Sequence, residues 1–324
     1  MRLVAGTILF VVFAASAFSQ TCERKLTLGF SFPPFPYSTN AQDYKATLDR
    51  QPINVLKAVP FTGSRVLIIL QGDFTHTVTY KKDFERMIDH LMSIGSIPQN
   101  VTVAYGVYAE KIAFSGAFTS NPEELRKGLQ ELASKATSGE LGKLGAPAYG
   151  PYSHFDEVVD YFREPRPGDT IFAIVDQQFD RIRKDLPGNI PYTEGLAHLL
   201  KAGIHLDLLL PPAPCCSDRE HPLFFVAQGT GGFVSPLNTQ RNKDSEGKNW
   251  LSAISLFMLM TSHGIVLTVE VPQSAKGEGF DAWKLDISAD KRSRIGIPPN
   301  QKFKSGYPDL LLCDSSSIAS TYRQ

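Results

Sequence analysis

Apolar positions along the chain fall into two patterns. Residues 66–70 (Val-Leu-Ile-Ile-Leu) and 170–175 (Thr-Ile-Phe-Ala-Ile-Val) are apolar runs without alternation, as expected of strands buried on both faces. Residues 204–210 predict a further strand, stopped by Pro211 and Pro212. Between them the period changes. Phe84, Met87, Ile88, Leu91 and Met92 share one face of a helix over 81–94. Residues 101–107 and 111–118 predict two strands joined by a turn at 108–110, a hairpin. Thr119-Ser-Asn-Pro-Glu-Glu124 carries cap residues, an early proline and early acids, and starts a helix that runs to about Ala136. Ser153-His-Phe-Asp156 resembles a capping box and opens a short helix through Phe162. Further helices are predicted over 194–202 (stopped by Gly203), 222–228 (stopped by Gly229) and 249–261, with a strand beginning at Phe233. Buried strands alternating with amphipathic helices imply an α/β fold: a mainly parallel, Rossmann-like sheet with helices on both faces. The hairpin implies one antiparallel edge strand.

The two flanks have a different character. Residues 25–32 alternate as a strand does, and Phe32-Pro-Pro-Phe-Pro36 is extended and non-helical. After Gly264, strands are predicted over 265–271, 282–287 and 310–313 with no helix between them. This tail reads as a small β-rich module. Pairing with residues 25–32 would make the α/β domain an insertion between two β segments. At the N-terminus, Arg2 precedes an apolar stretch over 7–18 and then the small residues Ala15, Ala17 and Ser19. That order predicts a signal peptide over 1–19, cleaved after Ala17 or Ser19, and a secreted, extracellular chain. The expected organisation is therefore 1–19 signal peptide, 20–61 extended/β segment, 62–262 α/β domain and 263–324 β-rich module. No other apolar run reaches the roughly 18–20 residues a membrane helix needs, so the chain is not expected to be membrane-embedded.

Charge and cysteines narrow the partners. The 33 basic and 33 acidic residues cancel, and no Lys/Arg cluster stands out, which argues against nucleic acid. Cys22, Cys215, Cys216 and Cys313 are four in number, suggesting two disulfides in an oxidising compartment. A bond between the adjacent Cys215 and Cys216 would be strained. Either Cys22 or Cys313 reaches across to that pair, or the termini join. None has zinc-ligand spacing. Asn100-Val-Thr102 is a glycosylation sequon, which implies an exposed Asn100 and a glycoprotein if it is used.

Residues 65–75 (Arg-Val-Leu-Ile-Ile-Leu-Gln-Gly-Asp-Phe-Thr), followed by a helix and a hairpin, resemble the start of a von Willebrand factor type A domain. Residues 170–176, ending in Asp176, resemble its fourth strand, and 203–210 resemble its fifth. Residues 225–234, with Thr230-Gly-Gly232, resemble the helix-to-strand passage near its end. The resemblance covers about residues 62–262, by order of elements more than by identity. It implies a divalent cation, such as Mg²⁺, at the C-terminal ends of the strands. Carboxylate and hydroxyl oxygens would hold the ion and leave one position for a partner's carboxylate. The family's first loop is Asp-x-Ser-x-Ser. Aligned on the strand end, Gln71 stands where the aspartate belongs and Asp73 where the first serine belongs. Two residues later, Asp73, Thr75 and Thr77 fit the spacing but lie beyond the strand end. Asp176 matches the fourth-strand aspartate. Ser153 is the nearest counterpart of the second-loop threonine, although its capping role explains it without metal. The resemblance therefore implies a degenerate metal-ion-dependent adhesion site, and ordinary turn formation accounts better for Asp73, Thr75 and Thr77.

Other chemistry is weaker. Gly229-Thr-Gly-Gly232 follows a helix and precedes a strand, the reverse of the order that aims a helix N-terminus at phosphate. His76 near Asp73, and His154 beside Ser153, are too close in sequence for a catalytic triad. The expectation is a secreted recognition module, not an enzyme. Its partner, an extracellular protein, matrix or glycan, would bind at the loop rim formed by 72–77, 145–153 and 176–180. Residues 146–152 hold two tyrosines and two prolines suited to such contacts. The alternatives are a secreted hydrolase using the same rim, or a structural domain without a ligand site.

Overall fold

The computed structural model describes residues 21–28, 38–48, 51–71, 97–142, 155–174, 199, 202–210, 227, 234–236, 258, 261–272, 283–289 and 301–305. Six strands form the central sheet: β5 (Ser64–Gln71), β6 (Val101–Tyr108), β7 (Ile112–Phe114), β8 (Thr170–Ile174), β9 (His205–Leu210) and β10 (Val234–Pro236). Their spatial order is β10-β9-β8-β5-β6-β7. Every neighbouring pair is parallel except β6 with β7, the antiparallel edge. Counted from β5, this is the 3-2-1-4-5-6 order of a doubly wound sheet.

The unalternating runs are buried on both faces. On one face, Val66, Ile68, Leu70, Val103, Tyr105, Val107, Phe172 and Ile174 pack against Met258 and the long helix α1 (Pro122–Ser138). On the other, Leu67, Ile69, Ala104, Ile171, Ala173, Leu206 and Leu208 pack against Leu199, Ala227 and the short helix α2 (Phe155–Tyr161). Residues 67–70 are at most 1% exposed. Each such side chain contributes about 1.5–3 kcal/mol of burial. α1 forms where the caps say it should. The Asn121 side chain accepts the Glu123 amide hydrogen, Pro122 opens the first turn with Glu123 and Glu124, and Gly139 ends the helix. Leu125, Leu129, Leu132 and Ala136 then share the buried face.

The second hairpin strand is shorter than the 111–118 pattern predicts. β7 covers only Ile112–Phe114. The Ser115 hydroxyl then accepts the Tyr105 amide hydrogen, and the chain turns at Gly116. Thr119 rejoins β6 through a single bridge to Val103. A side-chain oxygen thus takes over a ladder position, and the turn ends the strand.

The flanks build two further sheets. β1 (Thr21–Leu28) and β4 (Val55–Thr62) both pair antiparallel with β11 (His263–Pro272). β2 (Tyr44–Leu48) lies between β3 (Gln51–Ile53) and β12 (Trp283–Ala289), and β13 (Gln301–Ser305) completes the order β13-β12-β2-β3. Strands from before and after the central sheet are therefore interleaved. Within the segment read as extended and β, the structure places β2, β3 and β4 besides β1. Pro52 and Pro60 interrupt the β pattern in the sequence, but each sits on an edge strand, where a missing N–H is tolerated. One residue, Asn54, separates β3 from β4 as the chain passes from one sheet to the other. Its carbonyl accepts the Glu270 amide hydrogen at 2.9 Å. The β4–β11 register then shifts, with Thr268 opposite Lys57 but Val269 opposite Val55. Leu56 is the extra residue of this bulge, and the kink leaves it 45% exposed. Residues 310–313 lie outside the described residues.

Candidate functional site

Because five of the six strands run parallel, their C-terminal ends form one rim. β5 leads to β6 on one side, whereas β8, on the other side of β5, leads to β9 further out. Connections diverge at such a switch point and open a crevice at the carboxyl ends of the strands. Leu70 pairs with Ile174, so β5 and β8 leave the sheet side by side. In sequence, Asp73 stands two residues beyond the end of β5, and Asp176 two beyond the end of β8. Asp73, Thr75, Thr77, Ser153 and Asp176 themselves lie outside the described residues, as do His76 and His154.

Part of the rim is described beside β6. The hairpin tip is closed by the Ala109 amide donating to the Lys111 carbonyl at 2.9 Å. The Lys111 amide donates to the Leu141 carbonyl at 3.1 Å, tying the tip to the segment after α1. Gly142 has φ +86°, and a Cβ there would stand 2.8 Å from the Glu110 Cβ, so glycine is favoured at this approach. The exposed Glu110 is a rim carboxylate that the sequence patterns did not single out; it reads as an ordinary hairpin-turn residue. Among the described residues no group of three or more His, Cys, Asp or Glu could hold a metal ion.

Polar side chains also concentrate at the opposite end of the sheet. Arg65, at the start of β5, donates from Nε to Asp169 Oδ1 at 2.8 Å and pairs through Nη2 with Asp169 Oδ2. It also donates to the carbonyls of Phe162 and Glu164 at 2.9 and 2.8 Å. Its guanidinium carbon lies 5.4 Å from the Phe118 ring centre and 5.3 Å from that of Phe162. Asp169 is fully buried and accepts the Arg166 amide hydrogen as well. Tyr161 stacks on Phe114 at 4.2 Å and donates its hydroxyl to the Gly116 carbonyl. Burial pushes the Tyr161 hydroxyl pKa up to about 12, and that of Tyr105 higher still. In β9, His205 Nε2 lies 2.9 Å from Asp207 Oδ1. An imidazole beside a carboxylate is the orienting half of a hydrolytic triad. Here both side chains are completely buried within the sheet, out of a substrate's reach. Sequence reading placed both simply within a strand, because a polar pair at i and i+2 is also the mark of a solvent-facing row.

Cys22 lies in β1 opposite Val271. Cys215, Cys216 and Cys313 lie outside the described residues. Asn100 occupies the turn before β6 and is exposed, and its side-chain amide donates to the Ser262 carbonyl at 3.0 Å. No helix among the described residues is long and apolar enough to cross a membrane.

No protein-family model and no curated protein matches the chain. Solved structures do. A von Willebrand factor type A protein from Catenulispora acidiphila superposes with a TM-score of 0.42 at 9% identity, over 95% of this chain and 79% of that one. The human COPII-coat protein Sec24c gives 0.44 at 11% identity, over 76% and 44%. Proximal thread matrix protein 1 from the mussel byssus, in a form described as having a zinc-occupied MIDAS motif, gives 0.42 at 8% identity, over 64% and 49%. This chain thus spans about half or less of the length of the last two. The fold itself is von Willebrand factor A-like. A parallel sheet ordered around β5 carries one antiparallel edge at β7 and helices on both faces, as the resemblance implies.

Proposed function

We propose that the chain is a secreted recognition module that binds an extracellular protein, matrix or glycan at the rim where β5 and β8 end. The observation that carries this reading is the switch point. The described middle positions of β5, β6 and β8 are apolar and buried, and the strands diverge at their carboxyl ends, which is where open α/β sheets receive ligands. Residues 72–77, 145–153 and 176–180 supply that rim in sequence, and Glu110 borders it. Asp73, Thr75, Thr77 and Asp176, with Ser153, would offer carboxylate and hydroxyl oxygens to a divalent cation. The fit is partial, because Gln71 replaces the family's leading aspartate. The reading is of binding rather than catalysis, with residues 62–262 as the binding domain, the flanking segments as its β-rich support and the mature chain beginning near Gln20.

The test is thermal unfolding of the secreted chain in EDTA and then in millimolar Mg²⁺, Mn²⁺ or Ca²⁺, beside Asp176→Ala. A ligand at 100 times its Kd stabilises by about 2.7 kcal/mol, which a melting curve resolves. A metal-dependent rise that Asp176→Ala abolishes means a working cation site and an acidic partner group. With no rise, the partner binds without metal, and capture of matrix proteins and glycans should then weaken when residues 146–152 are replaced by Gly and Ser. Capture indifferent to both changes would refute the rim as the binding surface.

A further inference from the structure

The chain passes twice between the flanking strands and the six-stranded sheet, and the two crossings lie side by side. One runs from β4 through Gly63 into β5. The other runs from the helical turn at Thr261 through Ser262 into β11. Thr62 and His263 are register partners across them. The Ser262 carbonyl accepts two hydrogen bonds here, from the Gly63 amide at 2.8 Å and from Asn100 Nδ2 at 3.0 Å. The Asn100 carbonyl in turn accepts the Ser64 amide hydrogen at 3.0 Å. One residue therefore grips both crossings, the outgoing strand with its backbone and the returning one with its side chain. The packing leaves no slack. Gly63 has φ +95°, and a Cβ there would stand 2.6 Å from the Asn100 carbonyl oxygen. A Cβ at Gly168 would stand 2.8 Å from the Gly63 carbonyl oxygen and 2.7 Å from the Phe61 ring. Ser262 is 3% exposed, so its carbonyl depends on these protein donors.

We propose that Asn100 is a clamp that joins the two crossings, so that the flanking strands and the central sheet move as one body, and that the fold requires its side-chain amide whether or not the sequon is used. An aspartate at this position would set a carboxylate oxygen against the Ser262 carbonyl, two acceptors with no hydrogen between them. Thr102 separates the clamp from the sequon. Thr102→Val keeps a β-branched residue in β6 and removes the sequon, yet leaves the Asn100 amide in place.

The experiment compares Asn100→Asp, Asn100→Ser and Thr102→Val in the full secreted chain, by thermal unfolding and by limited proteolysis with cleavage sites mapped. Asn100→Asp should lower Tm by several degrees, and Asn100→Ser by less. Both should open early cleavage at 62–64 and 261–263, before any cut within β5, β6 or α1. Thr102→Val should match the wild type in both readouts. If Asn100→Asp does not fold, Asn100→Ser is judged by the same cleavage pattern. Wild-type melting and cleavage in both Asn100 variants would overturn the clamp. So would a Thr102→Val chain that reproduces their loss, because the effect would then belong to the sugar.

Discussion

Removing Arg65 tests whether its polar cluster holds the fold together. In Arg65→Ala, Asp169 stays fully buried and keeps only the Arg166 amide hydrogen at 2.8 Å, with the Arg166 side chain 3.9 Å away and 64% exposed. The carbonyls of Phe162 and Glu164 each lose a donor, and the Phe118 and Phe162 rings lose a cation. Breaking a buried pair from one side costs about 3–5 kcal/mol, because an uncompensated charge remains. The surviving Arg166 bond puts the expectation near 3, while the orphaned Phe162 carbonyl raises it, so roughly 3–4 kcal/mol is expected. For a chain of this size, with about 2.1 cal/mol/K of unfolding entropy per residue, that is a fall in Tm of roughly 4–6 °C. Urea unfolding followed by circular dichroism measures it, and Asp169→Ala and the double variant complete a cycle. The coupling energy should exceed about 1.5 kcal/mol, because either single change strands the other partner. A loss under about 1 kcal/mol for Arg65→Ala, or strict additivity in the cycle, would refute the claim that this polar cluster holds the fold together.

Gly128→Ala should destabilise by about 1–2 kcal/mol despite alanine's better helix propensity, since the new Cβ would meet the Ser115 backbone oxygen and Cβ at 2.7 Å; chemical denaturation gives the sign. Arg163 follows α2 at φ 56°, in the left-handed region, so Arg163→Gly should stabilise by about 0.5–1 kcal/mol, and a melting point at or below the wild type's would contradict this. The raised Tyr161 pKa favours the neutral phenol in the folded chain. Its contribution is complete below pH 10 and is lost as pH rises through about 12. Alkaline titration followed by tyrosinate absorbance should show a late-ionising group that Tyr161→Phe removes, and a phenol titrating with the exposed tyrosines would count against the burial argument.

Much of the fold is legible in the sequence. The runs at 66–70 and 170–174 lack alternation because both sheet faces are covered, and that burial is written into composition. α1 announced itself through Asn121, Pro122 and the acids that follow, which act within one turn and need no distant partner. Local signals of this kind survive in a linear string. Strands carrying Pro52 and Pro60 did not, because proline disqualifies a strand only where a neighbour needs its N–H, and whether a strand is an edge depends on the whole sheet. The same holds for the candidate site. Asp73 and Asp176 are singled out by the resemblance, as residues that follow two strands in sequence, whereas the adjacency of those strands follows from the order β8-β5-β6. Arg65 and Asp169 are 104 residues apart, and Asn100 and Ser262 are 162 apart. Chain entropy opposes every such meeting, and no local preference records it. These contacts exist because the buried strands, once collapsed, leave one arrangement in which their polar ends can find partners.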